Sequence, residues 1–153
     1  GRFEVIDHAR GHARGHARGR VILDGAHNPH GAAALAAALA ERGERPVLVV
    51  ATSADKDVAG IARALAPAVR AVIATRYQQD RALDPAALAA VFAEVAPALP
   101  VSHAPDLASA IARVDGAPLV IAGSLFLVGE ARTLLLGAPT DPILVTDPIA
   151  RTS

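Results

Sequence analysis

The stretch Val21-Ile22-Leu23-Asp24-Gly25-Ala26-His27-Asn28-Pro29 decides the fold. Its three leading apolar residues form a compact run of the kind buried on both faces of a parallel sheet. Asp24-Gly25 stops the run with turn chemistry. Asn28-Pro29 then starts a helix, with asparagine as cap and proline in the first turn. The alanine- and leucine-rich stretch beyond it reaches about Arg42 and ends at Gly43. A buried strand feeding directly into a helix is the first part of a β-α-β unit.

Outward from this unit the alternation repeats. Upstream, residues 2–6 read as a short strand. Downstream, apolar strands are expected at 46–51, 71–75, 100–103 and 119–122, and helices at 58–69, 85–96, 106–114 and from Gly123-Ser124 to about Leu136. The pattern predicts a Rossmann-like α/β domain of three layers, a mostly parallel sheet of about six strands with helices on both faces. That domain is expected to span residues 1–137, with a loop at 8–20 inserted between its first two strands. Residues 138–153, broken by Ala-Pro-Thr-Asp-Pro and Thr-Asp-Pro, are expected to form an irregular surface tail.

Composition narrows the function classes. With 52% hydrophobic and 20% charged residues the chain can bury a core and is no disordered polyelectrolyte. Fifteen basic and fifteen acidic side chains cancel, which argues against nucleic acid or any other polyanion bound through bulk charge. No apolar run approaches the ~20 residues that cross a bilayer, and no secretory leader is expected. Cysteine is absent, so disulfides, thiolate metal sites and cysteine nucleophiles are excluded. Methionine is absent too and the chain opens on Gly1, so a piece of a longer protein is expected. Fourteen arginines stand against a single lysine, Lys56. This bias, with the abundance of alanine, reads as a GC-rich coding background, which devalues the arginines as signals but not Lys56.

In open α/β sheets, ligands collect where strand ends meet helix starts. That rule selects Asp24–Asn28, Thr52–Asp57, Thr75–Asp80 and Gly123–Ser124. In the first loop, an aspartate at a strand end can accept hydrogen bonds from ribose hydroxyls, and His27 can meet a phosphate, a carboxylate or a reacting amine. The free N–H groups of the next helix would favour an anion. A plain turn, a cap and a surface histidine fit the same spacing equally well. Lys56 could hold an anionic substrate as a point charge, or be an ordinary solvated lysine. Ser124 could offer its hydroxyl and N–H to a carboxylate, or simply cap its helix.

Other signatures are missing. The chain has no G-x-x-x-x-G-K-[ST], no G-x-G-x-x-G after its first buried strand, no H-E-x-x-H, and no G-x-S-x-G elbow at Ser124. It carries no phosphate-gripping loop of its own. Residues 8–19 are three copies of His-Ala-Arg-Gly. Although His8, His12 and His16 would stack on one helix face, a glycine at every fourth position costs about 1 kcal/mol each there. No carboxylate supports a metal set, so no metal site is expected. Repeat slippage that lengthened a hairpin tip explains the segment better.

Taken together, Gly1-Arg2-Phe3-Glu4, Asp24-Gly25-Ala26-His27-Asn28-Pro29, Ser53-Ala54-Asp55-Lys56-Asp57 and Gly123-Ser124-Leu125-Phe126-Leu127-Val128-Gly129-Glu130 resemble, in this order, the C-terminal domain of the bacterial dihydrofolate synthase/folylpolyglutamate synthase family, relatives of the Mur ligases. Gly25, where cell-wall Mur ligases usually carry tyrosine, tilts the likeness towards the folate branch. The resemblance covers residues 1 to about 136. It implies a cytoplasmic, ADP-forming amide ligase of folate biosynthesis that adds L-glutamate to dihydropteroate or to a folylpolyglutamate through an acyl phosphate. ATP and Mg2+ would be held mainly by an N-terminal ATPase domain absent from this chain, so the fragment alone is expected to be inactive. By position, the resemblance implies Arg2 near the base or ribose of ATP, Asp24 on the ribose hydroxyls, and His27 near the phosphates and glutamate as the catalytic candidate. Lys56 and Ser124 would meet the glutamate carboxylates. The alternatives are another Mur-type amide ligase and a non-catalytic nucleotide-binding or interaction module.

Overall fold

A computed structural model describes residues 3–7, 20–116 and 118–137. The His-Ala-Arg-Gly repeat, Arg2 and the tail expected at 138–153 lie outside the described residues. Among the described residues six strands and five α-helices follow one another as β1 (Phe3–Asp7), β2 (Arg20–Asp24), α1 (Pro29–Arg42), β3 (Val47–Val50), α2 (Val58–Leu65), β4 (Ala71–Ala74), α3 (Pro85–Val95), β5 (Val101–His103), α4 (Leu107–Ala112), β6 (Leu119–Ala122) and α5 (Leu125–Leu136). The helix expected over 58–69 stops short. Pro67 has no N–H to continue the α ladder, and the chain tightens into a 3-10 turn over Ala66–Ala68.

One sheet carries all six strands in the order β1-β2-β6-β3-β4-β5. Strands β2 to β6 run parallel; β1 pairs antiparallel with β2, from Phe3 opposite Asp24 to Asp7 opposite Arg20.

Alternation along the strands sorts the core into two layers. Val21, Leu23, Val47, Val49, Leu119 and Ile121 pack with α4 and α5 on one face. Ile22, Leu48, Val50, Val72, Val120 and Ala122 pack with α1, α2 and α3 on the other. Each helix supplies a short apolar stripe, as α1 does with Ala32, Leu35 and Leu39. Strands buried on both sides need the continuous apolar runs that the sequence shows.

The strand order sets the helix faces. From β2 the chain steps outward through β3, β4 and β5 with its three helices on one face. It then returns to place β6 between β2 and β3, and a right-handed crossover in that direction puts the returning helix, α4, on the opposite face. The helix after β6 leaves on the other side from those after β2 and β3. This is the topological switch point, where strand ends part and leave a crevice.

Candidate functional site

Three loops meet at that crevice: 24–28 after β2, 51–57 after β3 and 123–124 after β6. The backbones of the last two nearly touch. Ala51 donates its N–H to the Ala122 carbonyl at 3.3 Å. Gly123 has φ +114°, and a Cβ there would lie 2.2 Å from the Ala51 oxygen. Only glycine fits both demands. The first two loops are tied through their helices: a Cβ on Gly60 of α2 would come within 2.7 Å of the Pro29 ring at the start of α1.

Within the first loop the bonds are short-range. Asp24, 6% exposed, accepts a hydrogen bond from the Ala26 N–H through Oδ1 at 2.8 Å. Its Oδ2 has no hydrogen-bond partner among the described residues. The half-buried His27 holds the Gly25 carbonyl at 2.9 Å through Nδ1. A carbonyl can only accept, so Nδ1 carries the hydrogen of this bond, and Nε2 has no partner among the described residues. Asn28, extended at φ −149°, caps α1 by accepting from the Gly31 N–H at 2.7 Å. The turn and cap bonds of the bland sequence reading are therefore formed. One expectation needs correcting here. Pro29 has no N–H, Gly31 bonds to the Asn28 side chain, and Ala32 bonds to the Asn28 carbonyl at 2.9 Å. Of the first turn only the His30 N–H is left for an anion, too little to grip a phosphate chain.

Ser124 is buried, and its Oγ accepts from the Phe126 N–H at 3.0 Å as the cap of α5. Its hydroxyl hydrogen is still available to an acceptor. Lys56 is exposed at the tip of the second loop, where its N–H bonds to the Ser53 carbonyl at 3.2 Å. No ion pair involves its ammonium among the described residues. Asp57, next to it, caps α2 through the Gly60 N–H at 3.0 Å. The fold thus brings Asp24, His27, Lys56 and Ser124 to the ends of three adjacent strands, while Arg2 lies outside the described residues. Phe3, its chain neighbour, pairs with Asp24.

A fourth loop, 75–83 after β4, holds what sequence reasoning missed. Tyr77, fully buried, joins its hydroxyl to the Ser53 Oγ at 2.7 Å and stacks against Phe126 with ring centroids 5.5 Å apart. The Gln78 N–H donates to Glu130 of α5 at 2.6 Å. Thr75 reaches the Ala104 carbonyl at 3.0 Å. Thr52 is also fully buried at this edge, and its Oγ1 has no partner among the described residues. The available signal was that Tyr77 is the only tyrosine in a chain with 3% aromatics, lying in a strand-end loop.

The residues present fit part of a nucleotide: a carboxylate oxygen for hydroxyls, an imidazole nitrogen and a single N–H. Among the described residues no group of three His, Asp or Glu side chains stands together to hold a metal ion. A separate groove of about 470 Å³ lies beside β4 and β5, with Arg70, Arg113 and Asp115 on its border. None of the candidate residues lines it; they stand at the strand ends of the switch point, where open α/β sheets bind ligands.

Comparison with known proteins agrees with this geometry. The pattern of the Mur ligase, glutamate ligase domain, matches residues 1–125. A probable bifunctional folylpolyglutamate synthase/dihydropteroate synthase of Halobacterium salinarum is 43% identical over 118 residues, covering 74% of this chain and 14% of its own length. The crystal structure of Thermotoga maritima folylpolyglutamate synthase superposes with a TM-score of 0.76 at 33% identity, covering 92% of this chain and 31% of that one. Mycobacterium tuberculosis folylpolyglutamate synthase, complexed with ADP and AMPPCP, gives 0.70 at 37% identity, covering 80% and 30%. This chain thus spans less than a third of the length of each of these relatives. With four motifs in order, the expected strand-end crevice and a match over residues 1–125, the chain belongs to the family of Mur ligase glutamate ligase domains.

Proposed function

We propose that residues 1–137 form the C-terminal domain of a cytoplasmic, ATP-dependent amide ligase that joins L-glutamate to dihydropteroate or to the glutamate tail of a folate. One observation carries this reading. Asp24, His27, Lys56 and Ser124 lie in the loops after three adjacent strands, at a switch-point crevice whose neighbouring helix start is already capped. Such a site can orient a nucleotide and an amino acid but cannot grip a phosphate chain, so it works against a second, ATPase domain that holds the phosphates and Mg2+. ATP supplies the activation of the substrate carboxylate.

Each residue here has a positioning task. The Oδ2 of Asp24 accepts from the ribose hydroxyls, while Oδ1 keeps the turn closed. Arg2, the chain neighbour of Phe3, contacts the base or ribose. His27, through Nε2, stands near the phosphates and the incoming amine. Lys56 and the Ser124 hydroxyl bind the carboxylates of glutamate. Closing this surface over the ATPase domain excludes water, which would otherwise hydrolyse the activated carboxylate.

The test is glutamate-dependent ADP release by the intact ligase that carries this segment. Release with dihydropteroate or a folate supports the proposal. Release only with a muramyl substrate would move the chain to the cell-wall ligases, and no release with either would make it a non-catalytic module. Within an active enzyme, Asp24→Asn retains an acceptor for the Ala26 N–H but loses the charge. It should raise the KM for ATP about tenfold, the scale of one charge-assisted hydrogen bond. An unchanged KM for ATP rejects the ribose role.

A further inference from the structure

We propose that Tyr77 is a positioning residue that fixes the spacing between Lys56 and Ser124, and through it the fit of the amino-acid substrate. The inference rests on the glutamate assignment made above.

A continuous set of contacts joins the two residues through this one side chain. On one arm, the Tyr77 hydroxyl bonds to Ser53 at 2.7 Å, and the Ser53 carbonyl holds the Lys56 N–H at 3.2 Å. On the other, the Tyr77 ring lies against Phe126 at 5.5 Å, and the Phe126 N–H bonds to the Ser124 Oγ at 3.0 Å. The backbone beside Tyr77 is held on both sides as well. Ala54 N–H meets the Arg81 carbonyl at 3.1 Å and Leu83 N–H the Thr52 carbonyl at 2.8 Å, while Gln78 is tied to Glu130. Tyr77 is fully buried, so it touches no substrate and acts only through its neighbours. A dicarboxylate held at two points is sensitive to their separation, because a mismatch of about 1 Å at a positioning contact is enough to spoil alignment.

Steady-state kinetics of the intact ligase test this. Tyr77→Phe keeps the ring and deletes the hydroxyl. It should raise the KM for glutamate three- to tenfold and leave kcat and the KM for ATP within twofold. Ser53→Ala removes the same bond from the other side and should match it, with the double variant no worse than either. Should Tyr77→Phe not fold, Ser53→Ala carries the expectation alone. A lowered melting temperature with an unchanged KM for glutamate would show a purely structural tyrosine and overturn the proposal, as would equal rises in both KM values. Lys56→Ala and Ser124→Ala run alongside. If neither raises the KM for glutamate, the glutamate assignment itself fails and the brace falls with it. If they do and Tyr77→Phe does not, the brace alone is wrong.

Discussion

The end of β2 and the end of β4 do comparable work by opposite means. At the end of β2 every bond that shapes the loop is local: Asp24 to Ala26, His27 to Gly25 and Asn28 to Gly31 span two or three residues. At the end of β4 the bonds reach far along the chain, from Tyr77 to Ser53, Thr75 to Ala104 and Gln78 to Glu130, across 24, 29 and 52 residues. The first loop carries its shape in its own sequence and keeps one face of its polar groups free. The second adds to its local bonds, Gln79 N–H to the Tyr77 carbonyl and Ala82 N–H to the Gln79 carbonyl, a set of long-range ones, and acts as a clasp, drawing the loops of β3 and β5 and the start of α5 together. A ligand site needs both: a self-made turn to present groups and a clasp to fix their distances.

Three substitutions sharpen or break that contrast, taken from the largest expected effect to the smallest. Gly123→Ala should be the most damaging, at roughly 3 kcal/mol, because a left-handed φ and a clash with a backbone oxygen from a distant strand combine. Urea unfolding of this chain measures it, and an unchanged midpoint would mean that the two strand ends do not approach so closely. Asp106 repeats the local logic at the start of α4, accepting from the Ser109 N–H at 2.8 Å. Asp106→Ala should cost about 1 kcal/mol and leave the crevice alone. The Ser109 N–H, and after it the Ser109 hydroxyl, hold the Asp106 carboxyl below its ordinary value. Because that pKa is depressed in the folded protein, the cap contributes fully above the unfolded pKa of ~3.9 and is lost as pH falls through the folded one. The gap between wild type and Asp106→Ala should therefore be flat at neutral pH and shrink below about pH 4. A gap that widened in acid would contradict the cap. Glu130→Gln, at the exposed end of the clasp, should cost only about 0.5 kcal/mol. Faster amide exchange at Gln78, with Ala26 unaffected, is the signature to seek; protection lost equally at both loops would erase the distinction drawn between them.

The same distinction decides how much could be read in advance. The caps at Asn28 and Ser124 formed as their residue types suggested, and Gly43 ends α1 at φ +69°. The one displaced helix end came from Pro67, also a local matter. Within the crevice, Asp24, His27, Lys56 and Ser124 could be picked out because each follows an apolar run or precedes a helix. The clasp could not. Ser53, Tyr77 and Glu130 lie in selected loops or motifs, but their joining comes only when folding brings those segments together, and Thr52 gave no sign that its hydroxyl would be buried with no partner among the described residues.

By itself, then, the sequence determined the elements, their caps and the two-sided burial of the strands, because dihedral preferences, first-turn donors and apolar runs act within a few residues. Only the tertiary structure decided that β6 lies between β2 and β3, that β1 closes the edge antiparallel, and that α1 has a single spare donor for an anion. Strand order follows from which strands pair once the whole chain has collapsed, and spare donors from which bonds are already made. Both are properties of the assembled sheet, not of any one segment.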